Sequence, residues 1–227
     1  MPDTPLPPAD TLTPGGPAAP PATQPARGFG LHWHGKEQAR RLALTPSNAT
    51  LNPCPDESVA WDDTQNLFIE GDNLDALKLL RKDYRGRVKL IYIDPPYNTG
   101  GELAYPDNFA YTVVGYEALT GNPETSGRLH TAWLSMMLPR LHLAREFLRE
   151  DGLIFISIDD NEAHHLRVLC DEVFGPECFV NQIVVKSSET SGVKMTHPTS
   201  RLPKLKEYLL VYARRPGAFE LAPVTAA

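Results

Sequence analysis

The sequence predicts an α/β fold with a largely parallel β-sheet, and three observations support that class. Two mostly apolar runs, Val88–Ile93 and Leu153–Ile158, have the composition of strands buried inside a sheet. Apolar side chains recur at helical spacing in the segments around them, and Gly, Pro and Asp separate these segments. Because such sheets bind ligands at the carboxyl ends of their strands, the residues that follow Ile93 and Ile158 are candidates for a site.

The composition excludes several classes of protein. Hydrophobic residues make up 41% of the 227 positions and charged residues 22%, as in a globular domain. No apolar run approaches the roughly 18 residues of a membrane helix. Three scattered cysteines suit no disulfide framework, so we expect a reducing cytoplasm. The net charge of -6 argues against a general coat for nucleic acid, although residues 181–227 hold seven basic and three acidic side chains.

The amino-terminal segment differs from the rest of the chain. Residues 1–28 hold nine prolines and almost no large apolar side chains, so we expect a disordered leader that cannot offset its ordering entropy by burial. Beyond it, Lys36–Leu44 is predicted to form a short helix that ends before Pro46.

A regular alternation of elements starts at Asn66. The segment Asn66–Glu70 is predicted as a short strand, Gly71 as a turn, and Asp72 as the cap of a helix. The apolar face of that helix comprises Leu74, Leu77 and Leu80. Gly86 closes the helical region, and Val88–Ile93 follows as a strand buried on both faces.

The second half of the chain repeats this order. Residues 128–149 have helical spacing, and Asp151-Gly152 is predicted as a turn into the strand Leu153–Ile158. Asp160 is a candidate cap for the next helix, which Gly175-Pro176 ends. Two later segments, Phe179–Val185 and Tyr208–Tyr212, are predicted strands.

The strongest chemical signal is Asp94-Pro95-Pro96-Tyr97, directly after the strand that ends at Ile93. Two prolines fix φ and remove two backbone donors, so the carbonyl groups of Asp94 and Pro95 are free to accept hydrogen bonds from a ligand. A carboxylate and a phenol ring stand beside them. Such a set suits an exocyclic amino group on a planar heterocycle.

An aryl amine is a poor nucleophile, because its lone pair is delocalised into the ring. Acceptors for both N–H protons favour the pyramidal nitrogen, whose lone pair can attack an electrophilic methyl group. Tyr97 would stack on the base once it leaves the duplex. Asp94 would stabilise the positive charge that develops on nitrogen.

The tetrapeptide resembles motif IV of the amino-methyltransferases that use S-adenosylmethionine on adenine in DNA. Further segments resemble the Mod subunit of type III restriction-modification systems, over roughly residues 29–214: NLFIEGDNLDALKLL (66–80), VKLIYIDPPYNTG (88–100), RLHTAWLSMMLPRL (128–141), DGLIFISIDDN (151–161) and KEYLLVYA (206–213). The resemblance implies a Rossmann-like, S-adenosylmethionine-dependent methyltransferase fold with a circularly permuted motif order. It also implies a catalytic half at 29–180 and the start of a target-recognition region at 181–227.

The resemblance assigns roles to particular residues. Asp94, Pro95, Pro96 and Tyr97 would handle the target amine, and Gly71, Asp72 and Asn73 would bind the cofactor. Asp72 has an equally good interpretation as a plain helix cap. Ser157, Asp159 and Asp160 match a segment that lines the target pocket, although capping and turn formation explain Asp160 somewhat better.

One expected motif is missing. The family places a Phe-x-Gly-x-Gly cofactor loop after the target-recognition region, and no such string occurs in the 227 residues. We therefore expect a fold that is incomplete at its carboxyl end, with part of the cofactor site and most of the DNA-reading region absent.

The predicted function is methyl transfer from S-adenosylmethionine to N6 of adenine, flipped out of double-stranded DNA, by the modification component of a type III system. The partners would then include a restriction subunit and a second modification subunit, and no membrane. Methylation of cytosine N4, of RNA or of a protein amide remains open, as does an inactive remnant that only binds partners.

No metal site is predicted, because His164-His165 with Cys170 and Cys178 lacks zinc-ligand spacing.

Overall fold

The computed structural model describes residues 30–98, 126–186 and 205–222. In chain order the helices and strands of these residues are α1 Lys36–Leu44, α2 Asn73–Tyr84, β1 Val88–Ile93, α3 Ser126–Phe147, β2 Leu148–Ile158, α4 Ala163–Phe174, β3 Phe179–Lys186 and β4 Lys206–Ala213. The predicted leader lies outside the described residues. So do residues 99–125, together with the segment between β3 and β4.

The described strands form one sheet in the order β1-β2-β4-β3. β1 and β2 are parallel, and α3 connects them as the crossover helix. β4 runs antiparallel to both of its neighbours, β2 and β3. The predicted α/β class is therefore confirmed, and the sheet is mixed, since only the β1–β2 pairing among the described strands is parallel.

The hydrophobic core lies between the sheet and the helices α3 and α4, with α1 and α2 packed on α3. Side chains at its centre that are almost completely buried are Trp133, Leu138, Leu141, Ile154, Ile156, Leu166, Leu169, Leu210 and Tyr212. The Tyr212 hydroxyl donates to Asp171 Oδ1 at 2.6 Å, so this buried polar group is satisfied. The core thus fixes α3 and β2, the two elements that come next in the chain after residues 94–97.

Several predicted elements are confirmed. The α1 helix spans the predicted residues and gives way to extended backbone at Thr45, just before Pro46. Asp72 caps α2, since its side chain accepts a hydrogen bond from the Asp75 backbone N–H at 2.9 Å. α3 begins two residues before the predicted helix, and α4 ends at Gly175, whose φ of 100° lies in the region that favours glycine.

The strand predicted at residues 66–70 is wrong. Within the described residues this segment pairs with no strand, and Leu67 and Phe68 are 65% and 94% exposed. Its three consecutive apolar residues have strand propensity, but a strand exists only where a neighbouring strand supplies hydrogen-bond partners. The sequence of residues 66–70 indicates a strand propensity, but it does not indicate whether a neighbouring strand is present to pair with.

Two features of the central strands also differ from prediction. β1 is not buried on both faces, because Leu90 and Tyr92 are 57% and 58% exposed on one side. Asp151-Gly152 is no turn, because β2 begins at Leu148 and continues through it. Pairing explains the extension, since the Gly152 carbonyl accepts from the Arg214 N–H at 2.9 Å at the end of β4.

Asp160 does not cap α4, contrary to its predicted role. Glu162 occupies the N-cap position, without a side-chain hydrogen bond to the helix backbone. The Asp160 carboxylate instead accepts from Lys206 Nζ at 2.8 Å and the Tyr208 hydroxyl at 2.7 Å, both on β4. Lys206 lies 46 residues further along the chain, so the local sequence around Asp160 does not indicate this partner.

Among the helices of the described ranges, none is both long and apolar enough to cross a bilayer.

Candidate active site

The predicted catalytic tetrapeptide leaves the sheet at the carboxyl end of β1. Ile93, the last residue of β1, lies beside Ile156 of β2, so the ends of the two parallel strands adjoin. Asp94 is exposed, and the residues from Pro95 to Asn98 are partly buried. The segment therefore lies at the edge of the core, at the sheet position where α/β folds bind ligands.

Trp133 fastens this segment to α3. Its indole Nε1 donates a hydrogen bond to the Pro96 carbonyl oxygen at 2.7 Å, and its side chain is 2% exposed. Pro96 has no N–H, so the carbonyl is its one backbone hydrogen-bonding group. Since a buried and rigid ring holds that oxygen, the orientation of the peptide units on either side of Pro96 is restricted.

Tyr97 lies between two carboxylates. Its ring packs partly against the core, and its hydroxyl donates to Glu207 Oε2 at 3.4 Å. Burial, together with the nearby charges of Asp94 and Glu207, raises the pKa of Tyr97 well above its ordinary value of 10. The phenol therefore retains its proton for donation not only at physiological pH, as any tyrosine does, but also well into the alkaline range.

Asn98 ends the segment in an uncommon conformation and is held by Glu162. Its φ is 55°, a left-handed value that Asn tolerates better than most residues. The Asn98 Nδ2 amide donates to Glu162 Oε1 at 2.5 Å. The same carboxylate contacts Nδ1 of His130 at 2.5 Å and Nδ1 of His165 at 2.8 Å. Glu162 is completely buried.

The predicted cofactor residues lie at the start of α2, where Gly71, Asp72 and Asn73 are exposed. Gly71 has a φ of 141°, which suits glycine, and Asp72 caps the helix. The side chain of Asn73 accepts from Arg140 Nε at 2.7 Å, and an Arg140 nitrogen lies 3.8 Å from Asp72 Oδ2. Arg140 thus ties this turn to α3.

Both predicted groups of site residues are held by the same helix. Trp133 contacts the catalytic segment and Arg140 contacts the turn before α2. The two α3 residues are seven positions apart, which corresponds to about 10 Å along a helix axis. The structure therefore brings the turn at 71–73 and the segment at 94–97 into one neighbourhood, although α2 and β1 separate them in sequence.

The residues after β2 form their own hydrogen bonds. Ser157 Oγ lies 2.9 Å from the Tyr92 hydroxyl. Asp159 is 8% exposed and accepts from the backbone N–H and the side-chain amide of Asn161, both at 2.8 Å. Asp160 binds β4, as described above. The predicted role of these three residues in a target pocket stays a prediction.

The histidine cluster differs from the one considered in the sequence. The cluster consists of His130, Glu162 and His165, and the candidate ligand atoms of these three residues lie within 4.8 Å of one another. Cys170 and Cys178 do not belong to it and are buried in the core. Burial raises the pKa of both thiols, which favours their protonated form. The 2.5 and 2.8 Å contacts between imidazole and carboxylate are hydrogen-bond distances.

Sequence reasoning missed three residues at this site: Trp133, His130 and Glu162. The first two lie three positions apart on α3, within a segment that had been singled out for its resemblance, and Glu162 directly follows another such segment. Their contacts with Asn98, with each other and with Pro96 span 32 to 64 residues, so local spacing does not mark them. Only the contact between Glu162 and His165 is local, at a spacing of three residues.

The fold and the site together define the class of the protein. A family model described as DNA methylase matches residues 88–221, which include β1, the tetrapeptide, β2 and β4. The chain belongs to this DNA methylase family.

Curated relatives narrow the comparison. The chain is 37% identical over 211 residues to the type III restriction-modification enzyme StyLTI Mod subunit of Salmonella typhimurium, covering 87% of this chain and 32% of the relative. It is 40% identical over 200 residues to the EcoPI Mod subunit of Escherichia phage P1, covering 82% and 30%. The type II methyltransferase M.KpnI of Klebsiella pneumoniae is 38% identical over 154 residues, with 67% and 33% covered. The chain thus spans about a third of the length of these relatives.

Two solved structures of DNA methylases align with part of the chain at low TM-scores. The PvuII cytosine-N4-specific DNA methyltransferase gives a TM-score of 0.40 at 13% identity, covering 62% of this chain and 48% of that one. A putative DNA modification methylase of Thermus thermophilus, complexed with S-adenosyl-L-methionine, also gives 0.40, at 16% identity, covering 66% and 54%.

Proposed function

We propose that this chain is the catalytic part of an adenine-N6 DNA methyltransferase that serves as the modification component of a type III restriction-modification system. The observation that carries the proposal is the position of residues 94–97, which leave the carboxyl end of β1 and are held there by the Trp133–Pro96 hydrogen bond. Membership of the DNA methylase family and the likeness to Mod subunits support the choice of reaction and system.

In this proposal each residue of the segment has a distinct task. The carbonyls of Asp94 and Pro95 accept the two protons of the target amine, and the ring of Tyr97 stacks on the base. The exposed Asp94 carboxylate would stabilise the positive charge that develops on the nitrogen. Tyr97 is neutral at physiological pH, as an ordinary phenol is, and its raised pKa extends that neutral range to higher pH, so its ring brings no negative charge against the base.

The cofactor proposed is S-adenosylmethionine, which supplies an electrophilic methyl group. Gly71, Asp72 and Asn73 would bind it at the exposed turn before α2. One oxygen of Asp72 accepts the helix-cap hydrogen bond, and the other faces Arg140 at 3.8 Å. The exposed carboxylate can serve as cap and as an acceptor for a ligand hydroxyl or amine at the same time.

The domain boundaries and partners belong to the same proposal. Residues 29–180 form the catalytic half, and residues 181–227 begin a target-recognition region. The substrate is double-stranded DNA with a flipped adenine, and the assembly includes a restriction subunit and a second modification subunit. A cytoplasmic location fits the three cysteines, which are all free.

The test is transfer of a tritiated methyl group from S-adenosylmethionine to DNA of mixed sequence, with the methylated nucleoside identified after digestion. Asp94→Ala should lower the rate by about 100-fold or more, because a preorganised charge is lost at the reacting nitrogen. Asp56→Ala is the matched control, since Asp56 lies on an exposed 3₁₀ turn at Pro55–Glu57.

The products separate this proposal from its alternatives. Label in N6-methyladenine supports it, whereas label in N4-methylcytosine assigns another amine, and a parallel assay in which only RNA is labelled assigns an RNA substrate. An active Asp94→Ala variant would remove the proposed role of the carboxylate. A chain that transfers no methyl group and binds no cofactor would instead be the inactive remnant with a partner-binding role.

A further inference from the structure

Glu162 is a buried carboxylate that does not serve as a hydrogen-bonding cap for the helix that follows it. It precedes α4 at the N-cap position, yet its side chain makes no capping hydrogen bond. It is 0% exposed, and its oxygens face Asn98, His130 and His165, which come from the segment after β1, from α3 and from α4. A charged group excluded from water is costly unless it is paired or hydrogen-bonded, so this arrangement has to be held together as a unit.

The three contacts hold the carboxylate in one orientation. Oε1 accepts from the Asn98 amide and from His130, and Oε2 accepts from His165. An imidazole that faces a carboxylate through Nδ1 carries its proton on that nitrogen, which leaves Nε2 as the acceptor in the neutral ring. Both histidines thereby act as donors to Glu162.

The contact with Asn98 is the one that reaches the catalytic segment. Asn98 directly follows Tyr97 and has a left-handed φ of 55°, a conformation that Asn tolerates better than most residues. Trp133 holds the Pro96 carbonyl from α3, and His130 lies one helical turn before it on the same face. Tyr97 is therefore fixed on both sides, through Pro96 by Trp133 and through Asn98 by Glu162.

We propose that Glu162 is a positioning residue which, through Asn98, sets the orientation of Tyr97 and of the carbonyls that precede it. The catalytic meaning of this position rests on the proposed function, while the contact itself can be tested without any activity. The reporter is the indole N–H resonance of Trp133 in ¹H–¹⁵N NMR spectra of the full chain, assigned with Trp133→Phe. This resonance reports on the catalytic segment directly, because the indole N–H donates its hydrogen bond to the Pro96 carbonyl.

Glu162→Gln and Asn98→Ala should each shift the Trp133 indole resonance. The double variant should resemble the single ones, because both break the same link. Glu172→Gln is the matched control: Glu172 lies on the same helix, paired with Lys36 and Arg40, and its loss should leave the resonance unmoved. In methyl transfer, both site variants should lower kcat by about 10- to 100-fold with little change in KM. Asn98→Ala tests the link even if Glu162→Gln fails to fold.

Two results would overturn the proposal. The first is an unshifted Trp133 resonance in both site variants, with additive effects of the two substitutions on the free energy of unfolding. The second is a resonance shift on chelator treatment that zinc reverses, because the cluster would then hold a metal ion rather than hydrogen bonds. A chain that shows the coupled NMR shifts but transfers no methyl group would contradict the proposed function alone.

Discussion

At the scale of single residues, this protein fixes its candidate site through long-range hydrogen bonds. Trp133 holds the Pro96 carbonyl and Glu162 holds Asn98. The tetrapeptide has little freedom of its own, since two prolines restrict φ, and these two bonds remove more of it. In the proposed reaction, preorganisation of this kind would place the acceptors before the substrate arrives, so that no reorganisation is needed.

Asp72 has two roles that substitution can separate. Asp72→Ala removes both the cap acceptor and the carboxylate, and should lower the free energy of unfolding by about 1 kcal/mol. Asp72→Ser keeps a cap acceptor and should preserve most of that stability. If the carboxylate also contacts the cofactor, both variants should bind S-adenosylmethionine more weakly in calorimetric titrations. Unchanged affinity in Asp72→Ser would show that Asp72 is only a cap.

At the scale of elements, pairing in the sheet determines which apolar side chains are buried. β2 lies between β1 and β4, so its residues are covered by strands on both edges and by helices on one face. One face of β1 is exposed to solvent, although the sequence of the strand is almost continuously apolar. Composition alone therefore overestimated the burial of β1.

Two leucines in the sheet provide a matched test of this difference. Leu210 of β4 is 0% exposed and Leu90 of β1 is 57% exposed. Leu210→Ala should lower the free energy of unfolding by about 2–5 kcal/mol, through lost burial and a cavity. Leu90→Ala should cost less than about 1 kcal/mol. Urea unfolding of the two variants measures both values, and similar losses would mean that the exposed face of β1 is covered in solution.

At the scale of the whole molecule, the burial of several tyrosine hydroxyls and cysteine thiols makes the free energy of unfolding depend on pH in the alkaline range. Burial raises the pKa of Tyr212, whose hydroxyl also donates to Asp171, and raises the pKa of Tyr97, Cys170 and Cys178. The folded chain therefore retains protons that the unfolded chain releases above its ordinary pKa values, about 8.5 for Cys and 10 for Tyr. Stability is fully present below those values and falls as the pH rises beyond them.

Tyr212→Phe tests this dependence. The variant should be less stable at neutral pH, since the hydrogen bond to Asp171 is lost, but its free energy of unfolding should fall less steeply between about pH 9 and 11. Tyr92→Phe is the control, because Tyr92 is 58% exposed. Urea unfolding across a series of pH values gives both slopes, and equal slopes in wild type and Tyr212→Phe would contradict the prediction.

The sequence by itself determined the elements whose signals are local. Helical spacing with a capping aspartate predicted α2, and two apolar runs predicted β1 and β2. The tetrapeptide at 94–97 was recognisable because proline acts on its own backbone and on its immediate neighbours, so its effect needs no distant partner.

Only the tertiary structure decided which segments find partners. The segment 66–70 has strand propensity but pairs with no described strand, Asp160 binds β4 rather than its own helix, and Glu162 gathers Asn98 and two histidines. Most of these outcomes depend on groups that lie tens of residues away. Hydrogen bonding and burial are properties of pairs in space, and the local sequence specifies only one member of each pair.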